Sequence, residues 1–334
     1  MKRREFFPLA LAAGARREPA WTMLESGVRA RLRGVSAVNA RVAWASGANG
    51  TILRTADGGA SWTKLTIPGT EQLDFRDIDA VDERTAYVLS IGPGTASRIY
   101  KTLDAGARWE LQFQNTEPKA FFDAMAFSSA KTGMAVSDSV DGRFVLIRTA
   151  NGGAKWEPVA REALPPALEG EGAFAASGTN IAMLGRNIWI GTGAGRVLYS
   201  RDGGRRWEVA ATGLASSASA GIFSIAFRDA RRGIVVGGDY KREDYAADNA
   251  AVTEDGGRTW RAVTGLGGLR SVAAWLPKTG DAVALGPSGP DWSKDGGRTW
   301  RAIRGPGFHT FSAAPGARVG WGAGERGLIA RLEW

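Results

Sequence analysis

One eight-residue phrase, met six times, constrains this chain more than anything else in its sequence. Thr55-Ala56-Asp57-Gly58-Gly59-Ala60-Ser61-Trp62 recurs with small changes at 102–109, 149–156, 200–207, 253–260 and 293–300. Every copy reads Ser or Thr, any residue, Asp or Asn, Gly or Ala, Gly, two variable residues, then Trp. The carboxylate or amide of Asp57, Asp104, Asn151, Asp202, Asp255 or Asp295 can accept backbone N–H bonds inside a tight turn, and the glycines supply the positive φ it needs. Trp62, Trp109, Trp156, Trp207, Trp260 and Trp300 then anchor each turn on its own sheet. These twelve residues are read as structural fasteners, not as catalysts.

Successive box tryptophans lie 47, 47, 51, 53 and 40 residues apart, close to the length of a four-stranded propeller blade. Each interval has the same grammar: a short apolar strand, a second ending in small residues, a third leading into the box, and a fourth starting at its Trp. Val42–Gly47, Ile188–Gly191 and Val319–Gly322 are three of the second strands. After the sixth box, Phe308–Trp334 supplies three more strands and stops where a box would stand. Its missing fourth strand is found at the other end, where Trp21-Thr22-Met23-Leu24 matches Trp62-Thr63-Lys64-Leu65. The expectation is an all-β, seven-bladed β-propeller over residues 21–334, with blade 7 formed by 21–26 together with 308–334. Such closure leaves no open sheet edge.

Composition narrows the chemistry. With no cysteine and a single histidine, His309, thiol catalysis and multi-histidine or thiolate metal sites are excluded, and neither a metal nor a cofactor is expected. The net charge of +9 is dispersed, with no run of five Lys or Arg and no basic stripe interleaved with aromatics, so nucleic acid is not an expected partner. Gly191-Thr192-Gly193-Ala194-Gly195 joins two strands and is read as a loop, not a dinucleotide fingerprint. Residues 1–20 carry Arg3-Arg4-Glu5-Phe6-Phe7, then an apolar run and Ala13-Gly14-Ala15. That order predicts a twin-arginine-type signal peptide and an exported, periplasmic protein.

In a propeller, the loops from second to third strands and from blade to blade share the face opposite the boxes. The long insertions Glu162–Ala173 and Asp239–Tyr245, and the shorter Ser90–Ser97 and Asp138–Arg143, all fall there. That face is the expected binding face, with Arg33, Arg76, Asp77, Asp123, Asp138, Arg143, Asp239, Tyr240, Arg270 and His309 as its residues. Aligning the seven first strands puts Arg33, Arg76, Asp123, Ala175, Phe223, Arg270 and His309 at equivalent positions by the channel mouth. Three arginines there either converge on an anion or pair with Asp77, Asp123, Asp138 and Asp239 to line a wet channel. His309 is read as a rim residue.

Several longer phrases add a resemblance: Leu73–Asp77, Ser97–Thr102, Phe174–Thr179, Gly221–Ser224 and Val236–Tyr240. Across nearly all of 21–334 the chain resembles bacterial relatives of the photosystem II stability/assembly factor, within the sialidase-like Asp-box propellers. The resemblance implies a non-enzymatic binding role; the expected partner is a protein or anionic ligand, with the chain a monomer that reaches a membrane through that partner. The rival within the superfold is a sialidase-like glycoside hydrolase. It would use Asp123, Glu169, Asp239 and Tyr240 beside the arginines, with Asp138, Asp141 and Glu171 as further carboxylates.

Overall fold

The computed structural model describes residues 18–334, so the signal-peptide reading falls almost wholly outside the described residues. Strand β1 is Ala20–Leu24. Blade 1 follows as β2 (Leu32–Ala37), β3 (Ala43–Gly47), β4 (Thr51–Thr55) and β5 (Thr63–Leu65). Blade 2 is β6 (Asp74–Ala80), β7 (Ala86–Ile91), β8 (Arg98–Thr102) and β9 (Glu110–Gln114); blade 3 is β10 (Phe122–Phe127), β11 (Gly133–Val140), β12 (Arg143–Thr149) and β13 (Glu157–Pro158). Blade 4 is β14 (Ile181–Leu184), β15 (Asn187–Gly191), β16 (Arg196–Ser200) and β17 (Glu208–Ala211); blade 5 is β18 (Ala220–Phe227), β19 (Gly233–Asp239), β20 (Ala250–Thr253) and β21 (Arg261–Ala262). Blade 6 is β22 (Val272–Trp275), β23 (Ala282–Gly286), β24 (Gly289–Ser293) and β25 (Arg301–Ala302), and β26 (Thr310–Ala313), β27 (Val319–Ala323) and β28 (Ile329–Glu333) complete the chain.

The seventh sheet has the order β1-β28-β27-β26, so the N-terminal strand closes the ring as the sequence predicts. β1 lies antiparallel to β28, with Trp21 opposite Leu332 and Leu24 opposite Ile329. The Trp21 indole packs on Phe308 at 4.3 Å between ring centroids and meets Phe311 edge-on.

Each box closes as its residue types dictate. In the first, Thr55 Oγ1 donates to Asp57 Oδ1 at 2.8 Å and accepts the Gly59 N–H, while Asp57 accepts the Ser61 N–H at 3.0 Å. The hydroxyl bond to the acid recurs at Thr102, Ser200, Thr253 and Ser293, and at Thr149 it goes to the amide oxygen of Asn151. Burial alone would raise the carboxyl of Asp255, yet bonds from Thr259, Thr253 and the Arg258 N–H bring it down to about 2. The blades also lock to one another. Trp189 Nε1 donates to Gly256 O and Tyr87 Oη to Gly152 O, each reaching the box of the next blade. Nearer the channel, Ser36 accepts the Ala80 N–H, Asp79 the Phe127 N–H, Ser224 the Ala273 N–H and Ser312 the Ala37 N–H.

Candidate ligand-binding site

The equivalent first-strand positions have a physical cause. In four blades the pairing between first and second strands slips by one residue, and the extra residue is Arg33, Arg76, Asp123 or Phe223. A bulge turns its side chain away from the regular alternation. The other three positions differ, because β14, β22 and β26 begin only after Ala175, Arg270 and His309.

Blade 4 spends its missing first-strand residues on a plug. The stretch 174–179 makes contacts with blades on every side of the channel. Arg76 Nη1 donates to Ala175 O at 2.7 Å and Arg33 Nη1 to Ala176 O at 3.4 Å. Ser177 Oγ donates to Ser271 O in the loop entering blade 6, and Thr310 Oγ1 of blade 7 donates to Ser177 O. Phe174 stacks on Phe223 at 4.2 Å between centroids and takes the edge of Tyr240. Gly178 has φ +72°, and a Cβ there would collide with Asp77 Oδ1, so only glycine fits the crossing.

Above the plug lies a cavity of about 350 Å³ lined by Arg33, Arg76, Phe174, Ala175, Ala176, Phe223, Tyr240 and Glu243. It joins two guanidinium groups to an aromatic wall. Arg76 keeps a bond from Nε to Asp74 at 2.9 Å. Arg33 has no ion pair among the described residues, and its buried Nε has no hydrogen-bond partner. Burial, followed by the neighbouring charge of Arg76, lowers the Arg33 guanidinium to about 10. An uncompensated, partly desolvated cation of this kind favours an anion.

The structure does not bring the third arginine there. Arg270 is 2% exposed, forms an ion pair with Asp291 at 2.6 Å and also bonds Leu269 O and Ser288 Oγ. Without a bulge in β22 to re-aim it, the side chain is used inside blade 6. Asp77 and Asp123 are buried rather than on the face, and burial pushes both carboxyls well up. Asp77 accepts the Met125 N–H, while Asp123 lies beside Asp138 in the same blade. Asp138 accepts the Ala173 N–H, and Arg143 donates to Leu164 O. Asp239 accepts the Lys241 N–H and pairs with Arg242, bonds that lower its carboxyl. His309 bonds Glu325 at 2.7 Å, but burial, with the charge of Arg33, holds its imidazole down at about 4.

The hydrolase carboxylates are scattered. Glu171 is buried against Arg196 and Thr192, Asp141 pairs with Lys119 at the surface, and Glu169 lines a separate cavity with Asp138. Glu243 and the plug itself were not singled out by the sequence. The signal for the plug was present in Phe174–Thr179, a phrase with no strand-forming alternation.

Comparison with known proteins agrees with the fold. The family description "Photosynthesis system II assembly factor YCF48" matches residues 13–174. The solved structure "YCF48 bound to D1 peptide" superposes with a TM-score of 0.67 at 14% identity, covering 94% of this chain and 97% of that one. YCF48 from Cyanidioschyzon merolae superposes with a TM-score of 0.69 at 17% identity, covering 94% and 99%. No curated protein sequence matches the chain.

Proposed function

We propose that this chain, a BNR-repeat propeller of the photosystem II assembly-factor type, is a non-enzymatic assembly or stability factor that captures an acidic segment of a protein partner. The segment docks on the face opposite the boxes, in the cavity of Arg33, Arg76, Phe174, Phe223 and Tyr240. The observation that carries this reading is the pairing of two guanidinium groups, one without a counter-ion, with a stacked aromatic wall. Such a cavity matches a carboxylate next to an apolar or aromatic residue, as at an acidic peptide end. The relative named as bound to a D1 peptide is a propeller of the same fold. Export to the periplasm, action as a monomer and a partner within a membrane or envelope complex belong to the same proposal.

The test is titration of the purified protein with fluorescent peptides ending in an aromatic residue and a free carboxylate, beside their amidated forms. Arg76→Ala is expected to weaken binding by about ten- to a hundredfold, as for loss of a charge-assisted hydrogen bond. Equal affinity for acid and amide would overturn the reading.

One observation favours the hydrolase alternative: Tyr240 and Glu243 share the cavity with two arginines. Against it stand the burial of Asp123 and the engagement of Arg270 with Asp291. Sialoside turnover abolished by Tyr240→Phe would decide for the enzyme.

A further inference from the structure

The box face carries a feature that the fasteners themselves do not need. The fourth box residue, just after the Asp or Asn, donates its N–H to a carbonyl in the turn between the first and second strands of the same blade. Gly58 reaches Arg41 O, Ala105 reaches Arg84 O, Gly152 reaches Lys131 O, Gly203 reaches Arg186 O and Gly256 reaches Arg231 O, all between 2.8 and 2.9 Å. In blade 7, which has no box, Trp334 N reaches Arg318 O. The bond uses only the carbonyl and is indifferent to the side chain, yet the residue is basic in all six blades. Blade 6 has Gly280 at this position, and Arg228 from blade 5 brings its guanidinium to 3.3 Å from where a Cβ would stand.

The first strands line the channel, so these turns encircle its mouth, and the shared bond holds six cations at a common height, with Arg228 reaching into the seventh position. Arg41, Arg84, Lys131, Arg186, Arg231 and Arg318 are all exposed, and none forms an ion pair among the described residues. The acids nearest in sequence are already engaged: Glu83 accepts from Asn39 Nδ2, Asp82 accepts the Arg84 and Thr85 N–H groups, and Asp229 those of Arg231 and Arg232. Two leucines stand exposed on the same face, Leu103 in the second box at 59% and Leu184 two residues before Arg186 at 42%.

We propose that the box face docks directly on a bilayer surface rich in anionic phospholipid, with the ring of cations against the headgroups and the two leucines entering the interface. A level ring of unpaired charge matches a planar anionic surface better than a single bound ion. The exposed leucines match an acyl boundary. The peptide cavity would then face away from the membrane surface.

Co-sedimentation of the purified full chain with phosphatidylcholine vesicles, and with vesicles containing equal parts phosphatidylglycerol, tests this. Binding is expected only to the anionic vesicles, and it should fade as salt rises. Each neutralised ring cation should cost about fivefold in partitioning, and charge reversal more. The triple variant Arg41→Glu, Lys131→Glu, Arg318→Glu should therefore abolish binding. A charge-matched variant on the opposite face, Arg29→Glu, Lys119→Glu, Lys241→Glu, should retain most of it. Equal loss in both would assign the effect to net charge and overturn the proposal. So would absence of binding by the unmodified chain, or tighter binding to a single-stranded oligonucleotide than to anionic vesicles. Circular dichroism of both variants confirms that folding is intact, since all six positions are at the surface.

Discussion

His309 shows how one residue's surroundings can reverse what its type suggests. A lone histidine at a channel rim next to Glu325 invites a protonated, ion-paired reading, but burial and the Arg33 charge outweigh that bond and leave the imidazole neutral near pH 7. Its folded value, about 4, lies below the 6.5 of the free side chain. As pH falls, the unfolded chain therefore takes up this proton first, and stability is lost between pH 6.5 and 4. The magnitude is at most about 3 kcal/mol. His309→Gln removes this dependence, so its melting temperature relative to the parent should rise steadily as pH is lowered through that window. A constant difference across the window would show that the imidazole is not held neutral by the fold. The residue alphabet made the position visible; its burial and the nearby charge of Arg33 come from the folded ring, which no local pattern records.

At the scale of elements, the boxes were legible because each carries its own chemistry, a hydroxyl, an Asp or Asn, a glycine-rich turn and a tryptophan at fixed spacing, and the closing strand because Trp21–Leu24 repeats the phrase that starts at a box tryptophan. The bulges were half legible. Alignment by apolar residues picked out Arg33, Arg76 and Phe223, but Arg270 was grouped with them although β22 has no bulge and its guanidinium turns to Asp291. The plug was missed because it is a departure from the repeat, held by carbonyls of Ala175, Ala176 and Ser177 that any sequence offers. Gly178 is its one irreplaceable residue. Gly178→Ala should lower stability by about 2–4 kcal/mol, combining a positive-φ penalty with a clash against a buried carboxyl. Gly185→Ala is the matched control, since φ there is +59° and nothing lies within 4 Å of the added carbon; it should cost about 1 kcal/mol. Urea titrations of the two variants separate backbone strain from plug displacement, and similar costs would mean the channel crossing is not tightly fitted.

For the whole molecule, the decisive contact joins the two ends of the described chain. β1 pairs with β28 across five residues although every blade lies between them in sequence, so the ring cannot open between blades 7 and 1 without breaking that sheet. Ala20 stands opposite Glu333, close enough for a turn of box length to link the two strands directly. A circular permutant tests what the split contributes. Joined by a seventh box after β28 and opened between Leu24 and Leu32, it keeps every strand but makes each blade continuous in sequence. Its pairing is more local, which favours faster folding. Its ring, however, is held between first and last blades only by side-chain packing and by bonds such as Ala37 N–H to Ser312 Oγ. The permutant should therefore refold faster yet unfold faster and melt lower than the parent, with hydrogen exchange accelerated first in β2 and β26. Unfolding as slow as the parent's would mean that packing between blades, not the shared sheet, keeps the propeller closed.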